Sequence, residues 1–495
     1  TKKITTLNAT TANIDVSQEE AVGIYVRNSS TQLNSQSVAE NAGKIVVSST
    51  GSAGILAYKS TVTNSGASAS LPTFDKGISL TAKKTAGIIG KNGSKIINTG
   101  DIVLNSTVQP TLATEGLVGI SIDEISSDDK LSQEYKDSNG FSKSTVTNDG
   151  TITVNNDYST GISGKGGFIT NNKDIILSNK NGVGIASTDG NVVNSLTTGK
   201  IEVKESSSVG IFAKATENTP FPFQAISNKG TITLNGGSTK ISSVGIYSLI
   251  EDKAVQAGKT QTIANTGTIG VGTKSSAGIY VKDNRTTGEA EVSFVRNEGT
   301  INVTEESSAG IIGEYSQITN GNPQTKNGVI ELSAKKTAGI IANKKSKVMN
   351  YGTIETTAFS VGIGEGLVGI SADNSTVINK NKEDFYTYLT SKLSATNPWE
   401  QRFIFVMLLA YYVEDKYLKD IFKICEQIKS DEYYVKMAKA WLLSVCYIKF
   451  RDKTYKFLEK TSLDDWTVNK SIQKVRESLR VTKEEKEKIL VLKRK

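Results

Sequence analysis

Along residues 1–380, apolar and polar positions alternate in short runs: Ile152-Thr-Val154, Ile232-Thr-Leu234 and Ile301-Asn-Val303. That alternation places apolar side chains on one face of short strands, and β-branched residues suit a pleated surface. Each run follows an Asn-x-Gly-Thr step, as in Asn148-Asp-Gly-Thr151, Asn228-Lys-Gly-Thr231 and Asn297-Glu-Gly-Thr300. A small residue followed by Gly, usually then Ile, comes next, first at Val22-Gly23-Ile24 and Ala53-Gly54-Ile55 and last at Val361-Gly362-Ile363. The glycine lies nine residues after the Ile at Ile152, Ile175, Ile201, Ile269, Ile301 and Ile330. From Gly23 to Gly362 the mean period is about 31 residues, and AKKTAGII occurs outright at both 82–89 and 334–341. A fixed period of this size marks a solenoid, in which each unit buries its apolar face only by stacking on its neighbours.

The expected fold of residues 1–380 is therefore an all-β repeat solenoid (a β-helix) of about twelve coils. At ~4.8 Å per coil it rises on the order of 60 Å. Asn-x-Gly is expected to supply a positive-φ turn, and the small residue before Gly-Ile to sit where the coil turns inward. The long insertions at 121–147 and 250–262 are expected to leave the coil as loops.

From about Asn381 the apolar spacing changes from 2 to 3.6. Asn397-Pro398-Trp399-Glu400 opens a helix, with Asn as the cap and Pro in the first turn. Helices are expected over 402–413, 415–429, 431–449, 452–460, 465–479 and 483–492, the last behind a Thr482…Glu485 capping box. Short helices with short connections predict an all-α, HEAT-like antiparallel array at 381–495.

Composition sharpens the division. All 44 Gly lie at or before Gly369, while Trp399, Trp441, Trp466, Cys425 and Cys446 all lie in the tail. Residues 381–495 hold 24 Lys+Arg against 17 Asp+Glu, so of the chain's net +8 they carry +7 and the repeats +1. With no His, a Ser-His-Asp triad, a Cys-His pair and an imidazole metal site are excluded. No metal and no cofactor is expected. Neither Cys fits a disulfide framework, and both are expected as small apolar core residues. No run of ~20 apolar residues provides a spanning helix. The opening TKKITTLNATTANI, without Met or an apolar signal core, is expected to be an internal start. Acidic residues are thinly spread along the repeats, so no catalytic carboxylate pair is expected there. Gly364-Glu-Gly366-Leu-Val-Gly369 matches GxGxxG but lies inside the repeat rhythm, where a repeat turn is the better reading.

The Asn-x-Gly-Thr-Ile and Ser-x-Gly-Ile units resemble the passenger regions of bacterial autotransporter adhesins over most of residues 1–380. This implies a surface rod whose partner is a ligand on a host or neighbouring cell. The tail resembles the DNA alkylation repair family, the HEAT-like alkylpurine DNA glycosylases, through three blocks. These are Pro398-Trp-Glu-Gln-Arg402-Phe-Ile-Phe-Val-Met-Leu-Leu-Ala-Tyr-Tyr412, Glu432-Tyr-Tyr-Val-Lys-Met-Ala-Lys-Ala-Trp441 and Asn469-Lys-Ser-Ile-Gln-Lys474-Val-Arg-Glu-Ser478. The likeness covers the C-terminal half of that family's domain, so residues 381–495 read as truncated on their N-terminal side. It implies that Trp441 faces the lesion and Arg402 contacts the backbone of duplex DNA. Lys436, Lys470, Lys474 and Arg476 would add phosphate contacts. The family's catalytic aspartate segment has no counterpart before Asn381, so no catalytic residue is assigned. Asp431, Asp464 and Asp465 read as helix caps. Each tail feature also has a structural alternative. Trp441, among Ala438, Leu442 and Val445, fits a core position; the basic excess fits a solvated helix face; the Tyr pairs at 411–412 and 433–434 fit packing.

The two halves imply different compartments: the cell surface or outer membrane for the solenoid, and the cytoplasm if the tail defines the protein. The expected function is an adhesin-like structural rod joined to an inactive DNA-binding tail, in a hybrid of two truncated coding regions. The alternative is an alkylpurine DNA glycosylase carrying an incidental solenoid.

Overall fold

The computed structural model describes residues 5–28, 37–66, 75–123, 143–196, 198–216, 223–251, 260–284, 293–357, 366–373, 375–379 and 382–494. The chain divides into two compact units, Thr1–Lys380 and Asn381–Lys495.

The first unit is a β-solenoid. Its strands form three wholly parallel sheets of 13, 12 and 12 strands, and each strand pairs with its equivalents one coil before and one coil after. One coil runs Phe168–Asn171, Asp174–Leu177, Val183–Thr188, contributing a strand to each sheet in turn. Period-2 alternation turns Ile169, Ile175, Leu177 and Ile185 inward, and the stacked coils share one continuous aliphatic core. The shortest coils are 23 residues, between Asn41 and Asn64 or Asn148 and Asn171, whereas 50 residues separate Asn98 from Asn148. The ~31-residue period is thus an average over a 23-residue coil and its insertions. The cores of the insertions expected at 121–147 and 250–262 lie outside the described residues, as does Val361-Gly362. In the last coil the repeat register is held instead by Val368-Gly369-Ile370, with Val368 opposite Ala338 and Ile370 opposite Ile340. Gly369, the end of the GxGxxG match, is therefore a coil glycine.

Two local expectations are corrected. The glycines of Asn-x-Gly do not have positive φ. Their need for Gly comes from the coil below: a Cβ on Gly267 would lie 2.0 Å from the carbonyl oxygen of Gly230, and one on Gly299 2.0 Å from that of Gly267. Likewise, at Gly-Ile the crowded residue is the glycine rather than the small residue before it. A Cβ on Gly278 would meet the Gly310 oxygen at 2.7 Å, while the preceding position accepts Val and, at Val22, is exposed. The left-handed turn falls elsewhere, on the third residue before that glycine. Glu20, Lys84, Tyr158, Asn181, Ser207, Ser242, Ser275, Ser307 and Lys336 adopt φ of 54–61° there. Cross-coil bonds hold these turns, as from Ser242 N–H to the Lys274 carbonyl and from Ser275 N–H to that of Glu306.

The asparagines of Asn-x-Gly, and those at the equivalent places of coils without that glycine (Asn8, Asn171, Asn194 and Asn320), face inward and form a ladder. Each Nδ2 donates to the Oδ1 of the next coil's asparagine, from Asn8 through Asn41, Asn64, Asn98, Asn148, Asn171, Asn194, Asn228, Asn265, Asn297 and Asn320 to Asn350. The eleven bonds are 2.7–2.9 Å long. At the next corner a serine ladder accepts backbone N–H groups, from Ser243 to Ser276 Oγ and from Ser276 to Ser308 Oγ. Corners that would otherwise bury unpaired polar groups are satisfied from coil to coil.

The second unit is helical: α1 (Lys382–Ser391), α2 (Pro398–Tyr411), α3 (Asp415–Gln427), α4 (Tyr433–Lys449), α5 (Arg451–Lys460), α6 (Asp465–Glu477) and α7 (Lys483–Leu490). Asn397 caps α2, accepting from Trp399 N–H at 2.9 Å, and the Thr482–Glu485 capping box on α7 is formed on both sides. Of the three aspartates, Asp464 caps α6 through Thr467 N–H; α4 is instead preceded by Glu432, which makes no side-chain cap. Helix α1 is not among the helices expected from the apolar spacing. Helices α2, α4 and α6 lie side by side, and α1, α3 and α5 are joined through Tyr386–Tyr417 and the stacked Phe422–Phe457 pair. The result is a HEAT-like helical array with its own core, into which Cys425 and Cys446 are fully buried. No helix among the described residues is long and apolar enough to cross a membrane.

Candidate nucleic-acid interface

Apart from Tyr388 on α1, the tail's exposed aromatic side chains among the described residues gather on α2, α4 and α6. In sequence these are ordinary helix-start and helix-face positions, and the packing of alternate helices brings them together. Trp399, in the first turn of α2, stacks on Tyr434, in the first turn of α4, with centroids 5.8 Å apart. Tyr434 meets Tyr433 edge-on at 5.4 Å, and Tyr433 meets Trp466 of α6 at 5.7 Å. Trp441 lies seven residues beyond Tyr434, on the same face of α4 two turns further along.

Trp441 is 54% exposed, so its core alternative is overturned: the apolar neighbours Ala438 and Leu442 turn inward while the indole stands out. Tyr433 and Tyr434 do pack, but on surface rings rather than in the core: each touches a tryptophan and both are more than half exposed. Of the other pair, Tyr412 is buried and Tyr411 is exposed.

Cations sit over several of these rings. The Arg402 guanidinium lies 5.8 Å from the Trp399 ring, Lys436 Nζ 5.3 Å from Trp466, and Lys474 Nζ 6.0 Å from Trp441. Contacts of this kind contribute about 0.5–1 kcal/mol at exposed sites and pre-position the charge. Lys436 also pairs with Asp464 at 3.1 Å. Burial pushes the Asp464 carboxyl up, but bonds from Thr467 and the Lys436 ammonium outweigh it and leave it below its ordinary value. Lys474 pairs with Glu477 at 2.7 Å, which lowers the Glu477 carboxyl, and Lys470 donates to Gln473. Arg476 is exposed in the last turn of α6.

The six residues singled out in the sequence thus divide into three cation–ring pairs, at Arg402, Lys436 and Lys474, and two further bases on α6. The ring chain Trp399–Tyr434–Tyr433–Trp466 is not among the sequence expectations, although its signal, an aromatic in the first turn of three alternate helices, is present in the sequence. The surface offers π-faces and point charges, chemistry suited to stacking on bases and neutralising phosphates.

A further basic residue, Lys439, is buried. It donates from Nζ to the Ile428 carbonyl at 2.7 Å, closing the C-terminal end of α3, and burial holds it below its ordinary value. No known protein family, curated protein or solved structure matches the chain.

Proposed function

We propose that residues 1–380 act as an extended adhesin-like rod at the cell surface, of autotransporter passenger type, binding a ligand on host or neighbouring cells. Residues 381–495 are a DNA-binding helical piece without glycosylase catalysis. For the rod, the supporting observation is a solenoid interior filled from end to end by aliphatic side chains, which leaves faces and corner loops as the means of contact. For the tail, it is the exposed Trp441 beneath Lys474, joined along α4 to the ring chain and Arg402.

The alternative, an alkylpurine DNA glycosylase with an incidental solenoid, draws on the same Trp441. Two assays on the full chain separate the readings. The adhesin reading expects saturable binding to intact cells that survives removal of nucleic acid. It also expects duplex binding that weakens steeply with salt and no release of methylated purine. Release of methylated purine from duplex, without cell binding, would establish the glycosylase.

A further inference from the structure

The outer face of the third sheet differs from the other two. On the second sheet the outward positions carry residues such as Lys200, Glu202, Thr231 and Asn302. On the third sheet, two of the three outward columns are apolar or small along all twelve coils. One column runs Val22, Ala53, Ala86, Val118 at its start and Ala309, Ala338, Val368 at its end; its valines at the two ends are exposed, while Ala53, Ala277, Ala309 and Ala338 are buried, so the contact falls mainly on the next column. The next runs Tyr25, Leu56, Ile89, Ser121, Ser163, Ala186, Phe212, Tyr247, Tyr280, Ile312, Ile341, Ser371, all in register. Phe212, Tyr247 and Tyr280 touch ring to ring at 5.5 and 5.3 Å. Twelve coils at ~4.8 Å and six-residue strands at ~3.3 Å per residue make a face of roughly 60 by 20 Å. That is above the ~800 Å² per partner of a standard interface, and an apolar stripe running the length of such a face marks a contact surface.

The order of residues along the face says what covers it. We infer that it docks on the same face of a second copy, antiparallel, about a two-fold axis that runs along the strands between the sixth and seventh coils. Such an axis keeps each column over itself and reverses the coil order, giving an isologous contact. Phe212 then meets Ala186, Tyr247 meets Ser163, and Tyr280 meets Ser121. Leu56 meets Ile341, and Ile89 meets Ile312. Every ring of the Phe212–Tyr280 block falls on a small residue, which is how facing layers interdigitate.

The third outward column carries charged residues at most coils, with Tyr58, Thr188, Leu249 and Asn343 between them, and three of its cross-pairs are complementary. Lys91 falls opposite Glu314, Asp123 opposite Lys282, and Arg27 opposite Asp373. The inference rests on the third sheet alone and holds whether or not the rod is an adhesin.

Sedimentation of the full chain tests it. The wild type is expected to dimerise below about 50 µM, within the affinity range of interfaces this size. Ser163→Arg, a substitution at a half-exposed position, should leave it monomeric with an unchanged melting temperature. Lys282→Asp should weaken the dimer about tenfold or more, and Asp123→Lys in the same chain should restore it to within about threefold of wild type. A monomeric wild type, a dimer indifferent to Ser163→Arg, or a folded double variant that stays as weak as Lys282→Asp would each overturn the inference.

Discussion

At the residue scale, the asparagine ladder shows how one side chain can do the work of a turn sequence. Asn148 accepts from Asn98 and donates to Asn171 in a corner closed to water. Replacing it with Leu removes two bonds and leaves a donor and an acceptor buried without partners, at a cost of about 1–3 kcal/mol each. Asn148→Leu is therefore expected to lower the denaturant midpoint of the solenoid strongly, while Thr147→Val, on the outward side of the same strand, shifts stability by about 0.5 kcal/mol or less. Equal effects would show that the ladder contributes nothing beyond burial. The recurrence of Asn-x-Gly is plain in the sequence, and its role was misread for a physical reason. Within one repeat, Asn and Gly close together are turn chemistry; here each answers to its equivalent 23 or more residues away. The true left-handed positions, held by Ser, Lys, Glu, Tyr and once by Asn, share no compositional signal, because cross-coil hydrogen bonds impose the conformation.

At the scale of elements, strands were legible from alternation and helices from their caps. Asn397, Asp464 and Thr482 each mark a helix start that the structure reproduces. Helix α1 is held by tertiary contact: Phe385 and Tyr386 pack against Tyr412. The candidate interface was partly legible for the same reason. Trp441 and its bases could be singled out one by one, but the ring chain depends on α2, α4 and α6 lying side by side. Coil stacking offers an internal control. Gly278 and Gly369 occupy equivalent Gly-Ile positions, yet a Cβ at Gly278 meets a backbone oxygen at 2.7 Å and a Cβ at Gly369 meets nothing. Gly278→Ala should destabilise by about 2 kcal/mol or more and Gly369→Ala by less than ~0.5, read from urea unfolding. Comparable losses would mean that the glycine is retained for its backbone freedom instead.

At the scale of the molecule, two units with separate cores should melt separately, and alkali should distinguish them. Burial pushes the Cys425 thiol from 9.0 to about 12 and raises that of Cys446 as well. A thiol raised in the folded state stabilises fully below pH 9, and that stabilisation is lost as pH climbs toward 12, at up to ~1.4 kcal/mol per pH unit. Lys439, held low by burial, works in the opposite direction as pH rises toward its ordinary 10.5, so the comparison is made against Cys425→Ala, which leaves Lys439 in place. Calorimetry between pH 8 and 11 should show the helical transition falling with pH, and falling less steeply in Cys425→Ala. The same slope in both proteins would show that this thiol does not titrate on unfolding.

The constant rise of the coil has one more consequence. Parallel strands in register fix the height gained per coil, whether that coil spends 23 residues or 50. The solenoid is therefore a ruler whose graduations are its ladder asparagines. Residues added at the corners change what is carried at a given height and leave the height of every other graduation unchanged. Length and cargo are separately heritable in such a design, and a foreign peptide spliced into a long corner would be displayed at a chosen level without lengthening the rod.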